Sequence, residues 1–220
     1  MDTPESWKLR LHEKRHEFGT TTTFAFEPLR SLAYQAGQWV HLAATPEVVD
    51  RALVRHMSIA SAPGDQFVEF TMDLGSATPY KRAMAALKPG DEVAAFKLKG
   101  EFVVKPTDLR PVVFVAGGLG ITPIRAILRD LHGRHSDVPR SLVHVARGSH
   151  LYADELGALP LPQWRTNRQG LDAVWPLLLA EAGSEGRFYV CGSERFILGL
   201  QDALLGAGIG ADRIVTENFR

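Results

Sequence analysis

Apolar positions along the chain follow two rhythms. Up to about Lys105 they alternate with polar ones. Trp7, Leu9 and Leu11 share one side of the first segment, and Val68, Phe70 and Met72 oppose Phe67, Glu69 and Thr71 further on. A period of two is that of a half-buried strand. Residues 20–26, 37–42, 54–60 and 92–98 have the same short, β-branched or aromatic character. Ala62-Pro63-Gly64-Asp65 and Lys88-Pro89-Gly90-Asp91 are turn signals between them. Short strands at this spacing predict a six-stranded antiparallel β-barrel. One short helix interrupts it, with Tyr80, Met84 and Leu87 on a common face.

From Arg110 the rhythm changes. Val112-Val113-Phe114-Val115-Ala116 is a continuous apolar run, which predicts a strand buried on both faces of a parallel sheet. Gly117, Gly118 and Gly120 follow, then Thr122-Pro123, then Ile124, Ile127, Leu128 and Leu131 at helical spacing. Threonine is a good N-cap and proline suits the first helical position, so a helix is predicted to start at this pair. Strand, glycine turn and helix start together present backbone N–H groups and a positive helix end to a phosphate. A tight turn in an ordinary α/β domain accounts for the same residues. The run is not a G-x-G-x-x-G fingerprint, because Pro123 occupies the place of the third glycine.

Strands at 141–146, 164–166, 187–192 and 214–215 then alternate with helices at 152–159 and 172–182 and one capped by Ser193. That alternation predicts a parallel sheet. Ligands of such sheets lie beyond the carboxyl ends of the strands. The candidates there are residues 117–122, Arg147, Asn167 with Arg168, Cys191 with Gly192, and Glu217. Arginine after the second strand suits a 2′-phosphate, where an acidic residue would hold a ribose hydroxyl. Arg147 and Arg168 therefore favour NADPH over NADH, although solvated loop arginines would look the same. Gly75-Ser76-Ala77-Thr78-Pro79 repeats the glycine-to-Thr-Pro device in the first half. Two such helix starts suit two phosphorylated ligands, and a plain capped helix would also produce either one. Arg55-His56-Met57-Ser58 places an arginine and a serine inside a strand, where the exposed face of a barrel is an equally simple home for them.

Composition narrows the chemistry. The 220 residues hold 25 Lys and Arg against 25 Asp and Glu, so no charge imbalance points to nucleic acid or an anionic membrane. No apolar run approaches the roughly 18–20 residues of a membrane span. Met1-Asp2-Thr3-Pro4-Glu5 lacks the regions of a signal peptide, and the expectation is a cytoplasmic protein. Cys191 is the single cysteine, which excludes an internal disulfide and a four-cysteine cluster. His132 and His135 flank Gly133 at a helix end, and no metal site is expected.

In order, Gly37-Gln38, Arg55-x-x-Ser58, Gly75 to Thr78, Leu87-x-Pro89-Gly90-Asp91, Gly117-Gly118-x-Gly120-Ile121-Thr122-Pro123, Cys191-Gly192 and Glu217-x-Phe219 match one family. The chain resembles the ferredoxin–NADP reductases and their flavodoxin reductase and flavin reductase relatives. The resemblance runs from about Leu9 to the last residue. It implies a flavin-binding barrel at 1–108 and a nicotinamide dinucleotide-binding α/β domain at 109–220. It also implies FAD, or FMN in some branches, held by Arg55, His56, Met57, Ser58, Gly75, Ser76 and Thr78. Gly117, Gly118, Gly120, Thr122, Pro123, Arg147, Arg168, Cys191 and Gly192 would meet NADPH, and Phe219 would cover the flavin. Ser58, Cys191 and Glu217 would stand at the reacting centre. Electrons would pass to a ferredoxin- or flavodoxin-like carrier or to a small-molecule acceptor. The family usually has an aromatic residue where this chain has Met57, which implies looser flavin binding and keeps a free-flavin reductase open. A non-catalytic flavin-binding sensor, or an electron-transfer subunit of a larger redox complex, is a further alternative.

Overall fold

The computed structural model describes residues 6–47 and 50–218. The chain divides into two compact units, Met1–Val103 and Val104–Arg220. Each has its own sheet and core.

The first unit is the expected antiparallel sheet. Its strands are β1 (Ser6–Phe18), β2 (Thr21–Pro28), β3 (Trp39–Ala43), β4 (Val54–Ser58), β5 (Val68–Asp73) and β6 (Glu92–Lys99), in the order β4-β3-β6-β1-β2-β5. Beyond β4 the Ala60 N–H donates to the Glu69 carbonyl at 2.8 Å, which draws the two outer strands together into a half-barrel. The alternation seen in sequence aims Trp7, Leu9, Leu11, Phe24, Phe26, Val68 and Phe70 into one core. Each fully buried aromatic or leucine contributes about 1.5–3 kcal/mol. Helix α1 (Pro79–Ala86) adds Tyr80 and Met84 to that core. The turns form where proline, glycine and aspartate require them: Gly64 and Gly90 have φ of 89° and 96°, which only glycine adopts without strain.

The second unit is a parallel sheet of β7 (Val112–Gly117), β8 (Arg140–Val145), β9 (Gln163–Thr166), β10 (Arg187–Gly192) and β11 (Ile214–Asn218). Its order is β11-β10-β7-β8-β9. The chain winds outward from β7 through β8 to β9, then returns to the other side of β7 for β10 and β11. The topological switch point thus lies between β7 and β10. Alternate strand residues Val113, Val115, Val143, Val145, Phe188 and Val190 pack with helices α4 (Leu171–Ala182) and α5 (Glu194–Gly206). Helix α2 (Ile121–Gly133) lies on β7 and β10, and α3 (Ala153–Gly157) follows β8. Among the described residues no helix is long and apolar enough to cross a membrane.

One local expectation is corrected. Helix α2 does not start at Thr122-Pro123. A short 3-10 turn over Gly118–Gly120 runs straight into a helix that begins at Ile121. Thr122 is buried, and its hydroxyl donates to the Leu119 carbonyl at 2.9 Å instead of accepting from an amide. The glycines allow the chain to coil before the capping pair is reached.

Candidate active site

In the antiparallel unit the sequence candidates come from two neighbouring elements, β4 and the start of α1. Arg55 is half-buried, and its Nη1 donates to the Val54 carbonyl at 2.6 Å. Its guanidinium lies over the ring of Tyr80, 5.5 Å from the centroid. Tyr80 is 2% exposed, and among the described residues its hydroxyl has no partner. Burial pushes that phenol well above its ordinary range. Ser58 is buried, so the strand does not simply show its arginine and serine to solvent. Met57 packs against the barrel core. His56 is set apart: it is exposed, stacks on Trp39 at 4.7 Å and lies tilted against His41 at 4.1 Å, on the side of the strand that alternates away from Arg55 and Met57.

The loop before α1 is organised by Asp73. Its carboxylate accepts from Thr20 Oγ1 and from the Gly75 N–H, and Lys81 stands 3.9 Å away. Both hydrogen bonds favour the charged form, so this carboxyl lies below its ordinary range. A Cβ on Gly75 would come within 2.9 Å of Thr20 Oγ1. Thr78 caps the helix by accepting from the Lys81 N–H at 3.3 Å, with Pro79 at the first helical position. Ser76 and Ala77 are exposed, and among the described residues their amides donate to no acceptor. Free loop amides, a capped helix start and a nearby guanidinium form a donor set that fits a dinucleotide pyrophosphate.

In the parallel unit the candidates lie at the carboxyl ends of the strands, with the glycines and Cys191 at the switch point. A Cβ on Gly120 would lie 2.1 Å from the Cys191 carbonyl oxygen, so only glycine lets the turn after β7 meet the end of β10. A Cβ on Gly117 or Gly192 would meet the ring of Phe196 at 2.6 or 2.8 Å. Gly118 between them is exposed, with φ of 55°. Cys191 is fully buried and pairs with Ala116 on one side and Glu217 on the other. Burial, and then the Glu217 charge, push its thiol well up. It is therefore a packing group at neutral pH and not a thiolate nucleophile. Glu217 is half-buried, and burial raises its carboxyl to about 7. Arg147 and Arg168 follow the ends of β8 and β9, are exposed, and have no carboxylate partner among the described residues. Pro123 is buried inside the first turn of α2. Phe219 lies outside the described residues.

Sequence reading missed four residues that shape these sites: Asp73, Tyr80 as the platform for Arg55, Phe196, and His144. The last carries a legible signal. It is the one polar residue in Leu142-Val143-His144-Val145, the otherwise apolar part of β8 after Arg140 and Ser141.

No protein-family model matches the chain. It is 27% identical to a flavohemoprotein of Deinococcus radiodurans, over 98% of this chain and 60% of the relative. The chain spans about 60% of the length of the flavohemoproteins that it matches. It is 29% identical to ferredoxin–NADP reductase B of Sorangium cellulosum, over 86% of this chain and 87% of that one. Among solved structures, the flavohem-like FAD/NAD-binding domain of nitric oxide dioxygenase from Vibrio cholerae superposes with a TM-score of 0.80 at 24% identity, covering 97% of this chain and 98% of that one. A ferredoxin–NADP reductase from Neisseria gonorrhoeae with bound FAD and NADP gives 0.80 at 19% identity, with the same coverage of both chains. With an antiparallel half-barrel followed by a five-stranded parallel sheet, this chain has a fold of the ferredoxin–NADP reductase type, and its sequence is similar to flavohemoproteins and to a ferredoxin–NADP reductase.

Proposed function

We propose that this chain is an NADPH-dependent flavin oxidoreductase that holds FAD on its antiparallel unit and NADPH on its parallel unit. Electrons pass on to a separate ferredoxin- or flavodoxin-like carrier, or to a small-molecule acceptor. The observation that carries this reading is the presence, in one chain, of two helix starts suited to phosphate, each built on its own sheet. FAD and NADP are bound in a solved structure of the same fold.

FAD, when bound, supplies the acceptor for a hydride and the donor of single electrons. The chain's own residues bind and orient. Arg55 and the loop amides of Ser76 and Ala77 neutralise the flavin pyrophosphate. Ser58 and Met57 line the flavin from β4. Gly118, exposed and open, lets the NADPH pyrophosphate approach the backbone, and Gly117 and Gly120 let the turn that presents it pack against Phe196 and the end of β10. Arg147 and Arg168 hold its 2′-phosphate, which is the basis of a preference over NADH. Cys191 and Gly192 bound the nicotinamide side by packing, so that geometry and not covalent chemistry supplies the rate. Glu217, with a carboxyl that titrates near neutrality, exchanges a proton at its carboxylate oxygen.

Met57 favours one second reading. A thioether gives sulfur–aromatic contact but no ring stack, which suits a flavin that is released as reduced product. Anaerobic titration of the FAD-loaded protein with NADPH and with NADH tests the main reading. Fast bleaching by NADPH and slow bleaching by NADH is the expected result. A protein that takes up no flavin would overturn it. Flavin lost on dialysis, with turnover saturating in free flavin, would favour the second reading.

A further inference from the structure

The three glycines of the nucleotide turn are not held alike. Gly117 and Gly120 are fixed by steric contact with Phe196 and with the Cys191 carbonyl. Gly118 is exposed, carries the positive φ, and has nothing within 4 Å of the place where a Cβ would stand. Packing therefore does not fix it. What does is hydrogen bonding at its carbonyl, which accepts from the Ile121 N–H within the turn and from His144 Nε2 at 3.0 Å. Both lone pairs of that oxygen are then in use.

His144 is 3% exposed and lies on β8, the strand next to the turn. Burial lowers its pKa to about 4, so the ring is neutral near pH 7. A carbonyl only accepts, so the single ring proton sits on Nε2. The ring of His150 stands edge-on to that of His144, 5.0 Å away at 89°. Nε2 of His150 reaches the carbonyls of His144 and Thr166 at 3.1 and 3.2 Å. It thereby ties the end of β8 to the end of β9, beside the Ala146 N–H to Thr166 bond at 2.9 Å. Arg147 and Arg168 leave the chain just past these points.

We infer that His144 and His150 form a latch of positioning residues that fixes the glycine turn at Gly118 relative to the Arg147 and Arg168 arms, and so sets pyrophosphate and 2′-phosphate recognition at one spacing. The ligand assignment rests on the function proposed above, whereas the latch itself is a property of the parallel unit.

The test compares His144→Phe, which keeps a ring and deletes the donor, with His144→Gln, whose amide nitrogen stands near the place of Nε2. Binding of NADP+ and NAD+ to the full chain is measured by calorimetry, with FAD uptake as a control on the other unit. His144→Phe should weaken both dinucleotides about tenfold, the worth of one well-placed hydrogen bond, and leave FAD uptake unchanged. His144→Gln should recover most of that loss, a rescue that a merely space-filling histidine would not show. His150→Phe, at a less buried position, should weaken NADP+ more than NAD+. Hydrogen exchange at the amides of residues 118–121 gives a ligand-free readout: it should quicken in His144→Phe and return in His144→Gln. If wild-type protein binds neither dinucleotide, the proposed function fails, and the exchange data alone decide the latch. Unchanged exchange in His144→Phe overturns the latch whatever binds. So does wild-type dinucleotide affinity in that variant when the wild-type protein itself binds. If His144→Phe does not fold, His150→Phe is read in its place, and NADP+ and NAD+ affinities equal to wild type would overturn the inference.

Discussion

Thr78-Pro79 and Thr122-Pro123 are the same dipeptide after a glycine-containing loop, and they do different things. At Thr78 the backbone is extended, the hydroxyl accepts from the Lys81 amide, and the helix begins at proline. At Thr122 the helix is already under way, and the hydroxyl donates to a carbonyl behind it. The first helix start is made by local chemistry. The second is made by neighbours: Gly120 against the Cys191 carbonyl, Gly117 against Phe196, and Gly118 held by His144. A capping signal thus decides the helix start where the chain is otherwise free, and yields where tertiary contacts have fixed the backbone a turn earlier.

The comparison breaks most visibly at Gly120. Gly120→Ala sets a Cβ against backbone that cannot give way, so it should destabilise the parallel unit by about 1–3 kcal/mol, seen as a lower denaturant midpoint. Gly75→Ala, where the nearest atoms belong to the side chains of Thr20 and Asp73, should cost less, because side chains move. Equal costs would mean that the two turns are built alike.

The arginine arms come next. Arg147→Ala with Arg168→Ala should raise the KM for NADPH about tenfold, within the usual worth of charge-assisted hydrogen bonds, and spare NADH. An equal rise for both would remove the 2′-phosphate assignment.

Glu217 sharpens the account of the parallel unit through pH. Its carboxyl rises from an ordinary 4.5 to about 7 on burial. Below pH 4.5 it is protonated in both folded and unfolded chains and contributes nothing. Between 4.5 and 7 the folded chain keeps the proton and the unfolded chain loses it, so stability falls as pH rises. Above 7 the whole penalty is present. Glu217→Gln should abolish that slope and be more stable than wild type at pH 8, as read by denaturant unfolding at pH 5 and pH 8.

The smallest effect separates the two threonines. Thr78→Val should cost about 1 kcal/mol, the worth of a threonine cap. Thr122→Val should cost less, because the Leu119 carbonyl that loses the hydroxyl keeps the Ile121 N–H as a donor.

Much of the fold is legible because local patterning and tertiary need agree. The alternation of Trp7, Leu9 and Leu11 is the alternation that the barrel core uses, and the Val112–Ala116 run is the strand buried on both faces. Glycine marks the turns because positive φ requires it, as at Gly64 and Gly90, and proline and aspartate stand beside it with their own turn-favouring geometry. What is not legible depends on partners far along the chain. Nothing near Tyr80 says that Arg55 will lie over its ring. Nothing near Gly118 announces a histidine of β8, although a polar residue inside an apolar strand is a reason to look. The start of α2 is misread for the same reason, since the contacts that move it come from β10 and α5.

The central claim is that the two units divide the two dinucleotides between them. Crosswise calorimetry tests it most directly, with FAD and NADP+ each titrated into Arg55→Ala and Gly120→Ala. Arg55→Ala should lose about tenfold to a hundredfold in FAD affinity, the worth of a charge-assisted phosphate contact, and bind NADP+ as wild type does. Gly120→Ala should do the reverse. If either substitution weakens both ligands alike, or if Arg55→Ala leaves FAD binding intact, the division does not hold.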